Sequence, residues 1–370
     1  MAYIQKREIQ ERMPSGRLRT VRVYRVRYRD WAGVLQSETF RRAGDAERRK
    51  AQVETELASG TWRDPRRGEI RLKDWARTWI ETRHDLRATT KSRLETTMRM
   101  QVLPKFGDLP LIKISNAEVR AWVAEMLAQD LSAASARKAV FALRQCLDAA
   151  VADGRIFANP AEKVPLPTER AKPPRFLSQA EVERLVDAMP VRYRALVLVG
   201  AYGGLRWGEA VGLTRSNVDT RRVRIIVTST AVEIGGKLTL GNEPKTRRSK
   251  RSVPVARAVM RQIEDHLRDY VGSDGDALVF TAAQGGPLFR STFSRDVWRP
   301  AVQKAQLQGV SFHALRHSFV SILVAAGCNV REVSEWAGHS SVAFTLTRYG
   351  GLFEDDTDAA VDRLDNLLGR

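Results

Sequence analysis

The sequence predicts a multidomain protein, mainly helical with small β-sheets: a β-rich N-terminal domain with one helix, a helical second domain and a mixed α+β third. Three observations predict it. The 370 residues exceed one typical domain and suffice for two or three separate cores. Apolar residues alternate with a period of two in 19-RTVRVYRVRYRD-30 and recur at helical spacing in the stretch that follows. Five of the 14 prolines crowd between residues 160 and 174, in 159-NPAEKVPLPTERAKPPRF-176, which reads as a linker. The predicted division is 1–65, 66–160, a linker over 161–175, and 176–370.

In the first domain, Tyr24, Val26 and Tyr28 alternate with Arg25, Arg27 and Arg29, which puts apolar groups on one face of a strand and guanidiniums on the other. Gly33 suits a turn, 37-SETF-40 a returning strand, and 44-GDAERRKAQVETELASG-60 a helix ending at Gly60. In the second domain, Leu72, Trp75, Ala76, Trp79 and Ile80 follow helical spacing. So do Val119, Trp122, Val123, Met126 and Leu127, behind a capping box from Ser115 to Glu118. Another helix is predicted over 133–154, stopping at Gly154. The third domain opens with a second capping box, Ser178 to Glu181, ahead of Val182, Leu185, Val186 and Met189. A hairpin region follows in 222-RVRIIVTSTAVEIGGKL-238, turning at Gly235-Gly236, and the chain from about residue 255 reads as helices with short loops.

Charge narrows the function. Lys and Arg number 62 against 43 Asp and Glu, a formal net charge of +19, which favours a polyanionic partner. An anionic membrane is the weaker candidate, because MAYIQKREIQ has no apolar signal region and no apolar run approaches the ~18 residues of a span. Nucleic acid is the expected partner, and the arginine face of residues 25–29 is a candidate contact surface, with a solvated sheet face as the bland alternative. Cys146 and Cys328 match no metal spacing and read as small side chains in a reducing cytosol, with no disulfide.

Three of the five histidines fall within residues 313–339: His313 and His317 in SFHALRHSF, and His339 in WAGHSS. His313 and Arg316 are three apart on one helical face, where both are able to address a single phosphate. His317 is expected to point away from that pair and to serve as a structural hydrogen-bonding residue. A zinc site is disfavoured, since neither an HExxH pattern nor a cysteine partner accompanies the histidines. Upstream, 201-AYGGLRWGEAVGL-213 sets Arg206 after two glycines at the start of an apolar helix, a setting that suits an anion. An Arg206–Glu209 salt bridge is the bland reading of the same residues. Lys245 lies in the basic segment 243-EPKTRRSKRSVPV-255, which reads by default as a solvated loop. Tyr349, in 345-TLTRYGGLF-353, is uninformative alone.

Taken in order, Arg206 with Glu209, Lys245 in PKTRRSKRSVP, His313-x-x-Arg316-His317, Gly338-His339 and Tyr349 resemble the tyrosine recombinase family over residues 176–353. The preceding domains are similar, more loosely, to those of phage-type integrases in that family. Tyr202-Gly203-Gly204 stands where Thr-Gly is frequent and Trp336-Ala337 where Leu is usual; neither departure touches a catalytic position. The resemblance implies an arm-type DNA-binding first domain, a core-binding second domain and a catalytic third. It implies that Tyr349 attacks a scissile phosphodiester, leaving a 3′-phosphotyrosine and a free 5′-hydroxyl, and that strand exchange passes through a Holliday junction. Arg206 and Arg316 would clamp the nonbridging oxygens, and His313 would accept the tyrosyl proton or hold the phosphate. Lys245 would protonate the departing oxygen, and His339 would complete the phosphate's hydrogen bonds. No cofactor or metal ion is implied.

The implied outcome is integration of a phage or other mobile element, and its excision. The implied partners are double-stranded DNA with core-type and arm-type sites, three further copies of the chain in a tetramer, a host DNA-bending protein and an excision factor. The implied place is the bacterial host cytoplasm. The apolar stripe Ala360, Val361, Leu364, Leu367 and Leu368 in the tail would pack on its own domain or on a neighbouring protomer. Two rival functions share these motifs. A resolvase or topoisomerase of the same chemistry would have no obvious need of the basic N-terminal domain, and a binding-only relative would have lost catalytic side chains, whereas all six are present.

Overall fold

The structure is a computed structural model, and it describes residues 2–14, 16–31, 33–168, 173–242, 250–353, 361 and 365–369. It divides into two compact units, Met1–Arg87 with Arg93–Glu169, and Ala88–Ser92 with Arg170–Arg370.

The first unit begins with an antiparallel sheet of β1 (Tyr3–Arg12), β2 (Leu18–Arg29) and β3 (Leu35–Phe40), in that order. Against it lies α1 (Ala43–Ala58), whose end is marked by Gly60 at φ 73°. Strand pleating sends Val26 and Tyr28 into a small core with Ala2, Ala46, Val53 and Trp62, and Tyr24 and Phe40 pack at its margin. Arg25, Arg27 and Arg29 therefore fall on the opposite face. Arg25 donates from Nε to Thr39 Oγ1 at 3.3 Å, and Arg29 from Nη1 to the Gly33 carbonyl at 2.7 Å. The strand β1 was less legible than β2, because in YIQKREIQER its charges obscure the alternation.

The helical part comprises α2 (Leu72–Thr82), α3 (Ala88–Thr97, of which Arg93–Thr97 belong to this unit), a π-type turn over Met98–Val102, α4 (Leu103–Phe106), α5 (Asn116–Ala128) and α6 (Ala133–Ala152). Ser115 caps α5 reciprocally with Glu118, as expected. The stripes Leu72, Trp75, Ala76, Trp79 and Val119, Trp122, Val123, Met126 meet in one core. Ile80 only borders it, and Leu127 is exposed. Trp75 Nε1 donates to the Cys146 carbonyl at 2.9 Å, satisfying the indole inside the core.

The second unit opens with α7 (Gln179–Ala188), capped reciprocally by Ser178 and Glu181. Then come α8 (Val191–Tyr202) and the short α9 (Trp207–Val211). The strands are β4 (Val218–Asp219), β5 (Arg224–Val227), β6 (Thr230–Ile234), β7 (Lys237–Asn242) and β8 (Arg251–Pro254). The strands β6 and β7 form the hairpin that turns at Gly235-Gly236, while β5 pairs instead with β4 and β8. After α10 (Arg257–Tyr270) come α11 (Arg290–Phe293), α12 (Arg299–Lys304), α13 (Phe312–Ala325), α14 (Val330–Ala337) and α15 (Val342–Tyr349). The apolar α8 is buried on nearly every side, and α13 packs across it. A smaller core joins Val320, Val333, Ala337 and Tyr349. Of the predicted tail stripe, Val361, Leu367 and Leu368 are exposed, and Ala360 and Leu364 lie outside the described residues. Among the described residues no helix is long and apolar enough to cross a membrane. Cys146 is buried and Cys328 partly buried, and both are free.

Candidate active site

Chain order alone does not bring the predicted residues together; four elements of the second unit do. Arg206 precedes α9, Arg316 and both nearby histidines sit on α13, His339 follows α14, and Tyr349 ends α15. Lys245, between β7 and β8, lies outside the described residues.

Arg316 is the pivot. Its side chain is buried, and it donates from Nη1 to the Gly204 carbonyl at 2.6 Å and from Nη2 to the Ala337 carbonyl. Gly204 adopts φ 61°, and a Cβ there would meet the Phe319 ring at 2.2 Å, so the turn before Arg206 admits only glycine. Arg206 is the more accessible guanidinium. It reaches Glu209 at 2.7 Å and the Gly338 carbonyl at 2.8 Å, so the expected salt bridge is present together with an anchor across the site.

Glu209 is shared. Arg251, buried on β8, donates to both its oxygens, at 3.0 and 2.9 Å, and from Nε to the Trp336 carbonyl at 2.8 Å. Burial alone would raise the Glu209 pKa, but the hydrogen bonds and charge of Arg251, with Arg206 and Arg316 beyond, bring it down to about 2. Arg251 also explains the Gly-His pair: Gly338 caps α14 at φ 63°, and a Cβ there would meet the Arg251 guanidinium at 2.9 Å. Carbonyls 336, 337 and 338 thus receive Arg251, Arg316 and Arg206 in turn. Burial, then Arg206 and Arg251, lowers Arg316 to about 9, which leaves it charged at neutral pH. Three guanidiniums around one carboxylate leave the site in want of an anion.

His339 is buried against Tyr349, their rings stacked at 5.6 Å and 9°. Its Nδ1 lies 2.8 Å from Thr345 Oγ1, which sets the ring's orientation. Burial and then Arg316, Arg206 and Arg251 lower its pKa to about 3, so it is neutral. Tyr349 itself is only 4% exposed. Burial raises its pKa, opposed by Arg316, Arg348 and Arg206.

The histidines of α13 depart from expectation. His313 is exposed at the rim, its pKa lowered by partial burial and then by Arg316 and Arg206. His317, expected to point away, faces inward: its Nδ1 lies 2.6 Å from the Tyr349 hydroxyl, and its ring meets His313 edge-on at 4.8 Å. Residues three and four apart both share a helical face, so His313 neighbours Arg316 and His317 alike.

Such an arrangement offers cationic donors to a phosphate and a buried phenol beside it. The description "Phage integrase family" matches residues 175–354, and "Phage integrase central domain" matches residues 72–165. The integrase of Mycobacterium phage D29 is 30% identical over 74% of this chain and 72% of its own length. The chain belongs to the phage integrase family of tyrosine recombinases. It is a tyrosine-type site-specific recombinase. The integrase of Mycobacterium phage L5 is 26% identical over 95% of this chain and 97% of its own, so the likeness extends through the N-terminal domain. The tyrosine recombinase XerD of Mycobacterium leprae is 31% identical over 58% of this chain and 69% of its own.

In fold, this family member is similar to the Tn1549 transposon integrase in complex with circular intermediate DNA, with TM-score 0.67 and 22% identity over 80% of this chain and 99% of that one. It is similar also to a lambda integrase dimer bound to a core site, with TM-score 0.59 and 17% identity over 94% and 95%. These likenesses agree with the predicted fold class.

Sequence reasoning passed over Arg251, although it stands in the PKTRRSKRSVP segment: a buried cation is invisible among seven neighbouring basic or polar residues. Thr345, four residues before Tyr349, carried no signal beyond helical phase.

Proposed function

We propose that this recombinase integrates a phage or other mobile element into a bacterial chromosome, and excises it, with Tyr349 as the nucleophile. The observation that supports this best is the burial of Tyr349 against the His339 ring and within electrostatic reach of Arg316 and Arg206, where three guanidiniums share one carboxylate. A phenol with pKa near ~10 needs both a base and a polarised target. Arg206 and Arg316 supply the second by stabilising the charge on a pentacoordinate phosphorus, having been fixed beforehand by backbone carbonyls. In the tautomer in which the Thr345 hydroxyl donates to His339 Nδ1, the ring proton sits on Nε2 and is free for a phosphate oxygen. Lys245 is assigned as general acid to the leaving 5′-oxygen. Its place between the hairpin and β8 puts it six residues before Arg251, within the chain's most basic stretch.

The phosphodiester is exchanged for a phosphotyrosyl ester of similar energy, so the 5′-hydroxyl of another strand reverses the step without nucleotide or metal ion. Two such exchanges make and resolve a Holliday junction, and a lambda integrase tetramer bound to a Holliday junction has the same fold. We assign residues 66–160 to core-site binding and 1–65 to arm-site binding, with four copies, a host bending protein and an excision factor completing the assembly in the host cytoplasm. Incubation with a nicked duplex spanning the junction of element and chromosome should trap a covalent adduct that forms equally in EDTA. Loss of cleavage on chelation, restored by magnesium, would overturn the mechanism.

The arginine face of β2 supports the arm-site assignment. Replacing Arg25, Arg27 and Arg29 together by Gln should weaken binding to arm-site duplex and flatten its log–log salt dependence by about one unit per lost phosphate contact. Core-site binding should be unaffected. Unchanged arm binding would return that face to solvated sheet surface, and equal loss on both duplexes would indicate unspecific electrostatics.

A further inference from the structure

The proposed mechanism leaves one role divided. His313, the motif histidine, is exposed at the rim and has been assigned either to hold the phosphate or to take the tyrosyl proton. Its ring meets that of His317 edge-on at 4.8 Å, and the His317 ring in turn lies 5.8 Å from that of Tyr349. The contact with the reacting atom belongs to His317, whose Nδ1 is 2.6 Å from the phenol oxygen. Tyr349 is held there from its other faces too. His339 stacks flat on it at 5.6 Å, and Phe176 packs against it at 6.3 Å. The hydroxyl therefore has a fixed direction and a nitrogen at its end.

We propose that His317 is a catalytic residue of this recombinase, the general base that takes the Tyr349 proton, and that His313 is left to bind the phosphate. The inference rests on Tyr349 being the nucleophile. In the forward step the Tyr349 O–H bond breaks and an Nδ1–H bond forms on His317. The phenolate oxygen makes the new bond to phosphorus, the bond from phosphorus to the 5′-oxygen breaks, and that oxygen takes its proton from the general acid assigned to Lys245. In resealing, a 5′-hydroxyl gives its proton back to the Lys245 amine as its oxygen bonds phosphorus, the bond from phosphorus to the tyrosyl oxygen breaks, and the proton on His317 returns to that oxygen. Burial and then His313, Arg348 and Arg316 lower the His317 pKa to about 4, so the ring is neutral at neutral pH and, with its proton on Nε2, accepts through Nδ1. The same cations favour the phenolate as it forms. His317 occupies the position after Arg316, and the placing of α15 alone turns a presumed structural residue toward the nucleophile.

Single-turnover cleavage of the nicked junction duplex tests the proposal, with the adduct mapped by peptide mass. His317→Ala should slow cleavage by about 10²–10⁴-fold, the usual worth of a general base. His317→Asn places an acceptor near the position of Nδ1 yet takes no proton, and it should be as slow while packing better. The deciding arm puts 3,5-difluorotyrosine at position 349. Its phenol ionises at lower pH and needs less help, so the His317 deficits should shrink by at least about tenfold, whereas a His313→Ala deficit should not. Wild-type cleavage by the His317 variants with the adduct on Tyr349 would overturn the base assignment and leave the nucleophile intact. So would full activity of the Asn variant, or a deficit unmoved by the fluorinated phenol. An adduct on any other tyrosine would remove the nucleophile assignment and this inference together.

Discussion

Tyr349→Phe is expected to bind core-site duplex close to wild type and to form no covalent adduct, with cleavage below detection. Only the attacking oxygen is removed. The ring stays between His339 and Phe176, so the small core it shares with Val320, Val333 and Ala337 is preserved. The lost hydrogen bond to His317 is worth about 1 kcal/mol, too little to unfold a unit of this size. A gel-shift titration beside denaturing electrophoresis of the cleavage mixture reads both quantities at once. Adduct formed by the Phe variant would mean that another side chain attacks, and lost DNA binding would mean that Tyr349 is structural.

Arg251→Met should have the largest effect on stability, because it strips Glu209 of a bidentate partner where both side chains are almost wholly buried. Removing one partner of such a pair costs about 3–5 kcal/mol, mainly for the charge left behind. The turn carrying Gly338 and His339 also loses its support at the Trp336 carbonyl. A double variant, Arg251→Met with Glu209→Met, should recover much of the stability, since neither charge is then stranded. It should recover little cleavage, because Arg206 loses the carboxylate that fixes it. Urea unfolding of the three proteins, alongside single-turnover cleavage, separates the two effects. A single-variant cost below about 1 kcal/mol would show that water reaches Glu209.

The pH dependence follows from the same carboxylate. Its folded pKa of about 2 lies below the ordinary 4.5, so its contribution is fully present above pH 4.5 and is lost as pH falls toward 2. In the Arg251→Met variant that acid-side loss should diminish.

Much of the architecture was legible because its signals are local. The reciprocal caps at Ser115 and Ser178, the hairpin turn at Gly235-Gly236 and the alternation of Tyr24, Val26 and Tyr28 with three arginines each involve residues within one turn or one strand. The first strand was obscured, since sheet pairing with β2 sustains it where its own alternation does not. The order of the motifs from Arg206 to Tyr349 was likewise readable, and it was enough to indicate the family.

The sequence by itself determined which side chains are available for chemistry: two motif arginines, a lysine, three histidines in one stretch and a tyrosine after them. Only the tertiary structure decided what each one touches. Arg316 meets carbonyls 112 and 21 residues away, and Arg251 meets Glu209 across 42. On α13 the helical period sets Arg316 and His317 equally near to His313 in phase, and it contains nothing that chooses between them. The choice was made by packing: the turn at Gly338 draws the arginine inward, and α15 lays the Tyr349 hydroxyl against the histidine. Periodicity acts over a few residues, whereas a site is closed by contacts whose energy depends on burial and distance between elements far apart in the chain.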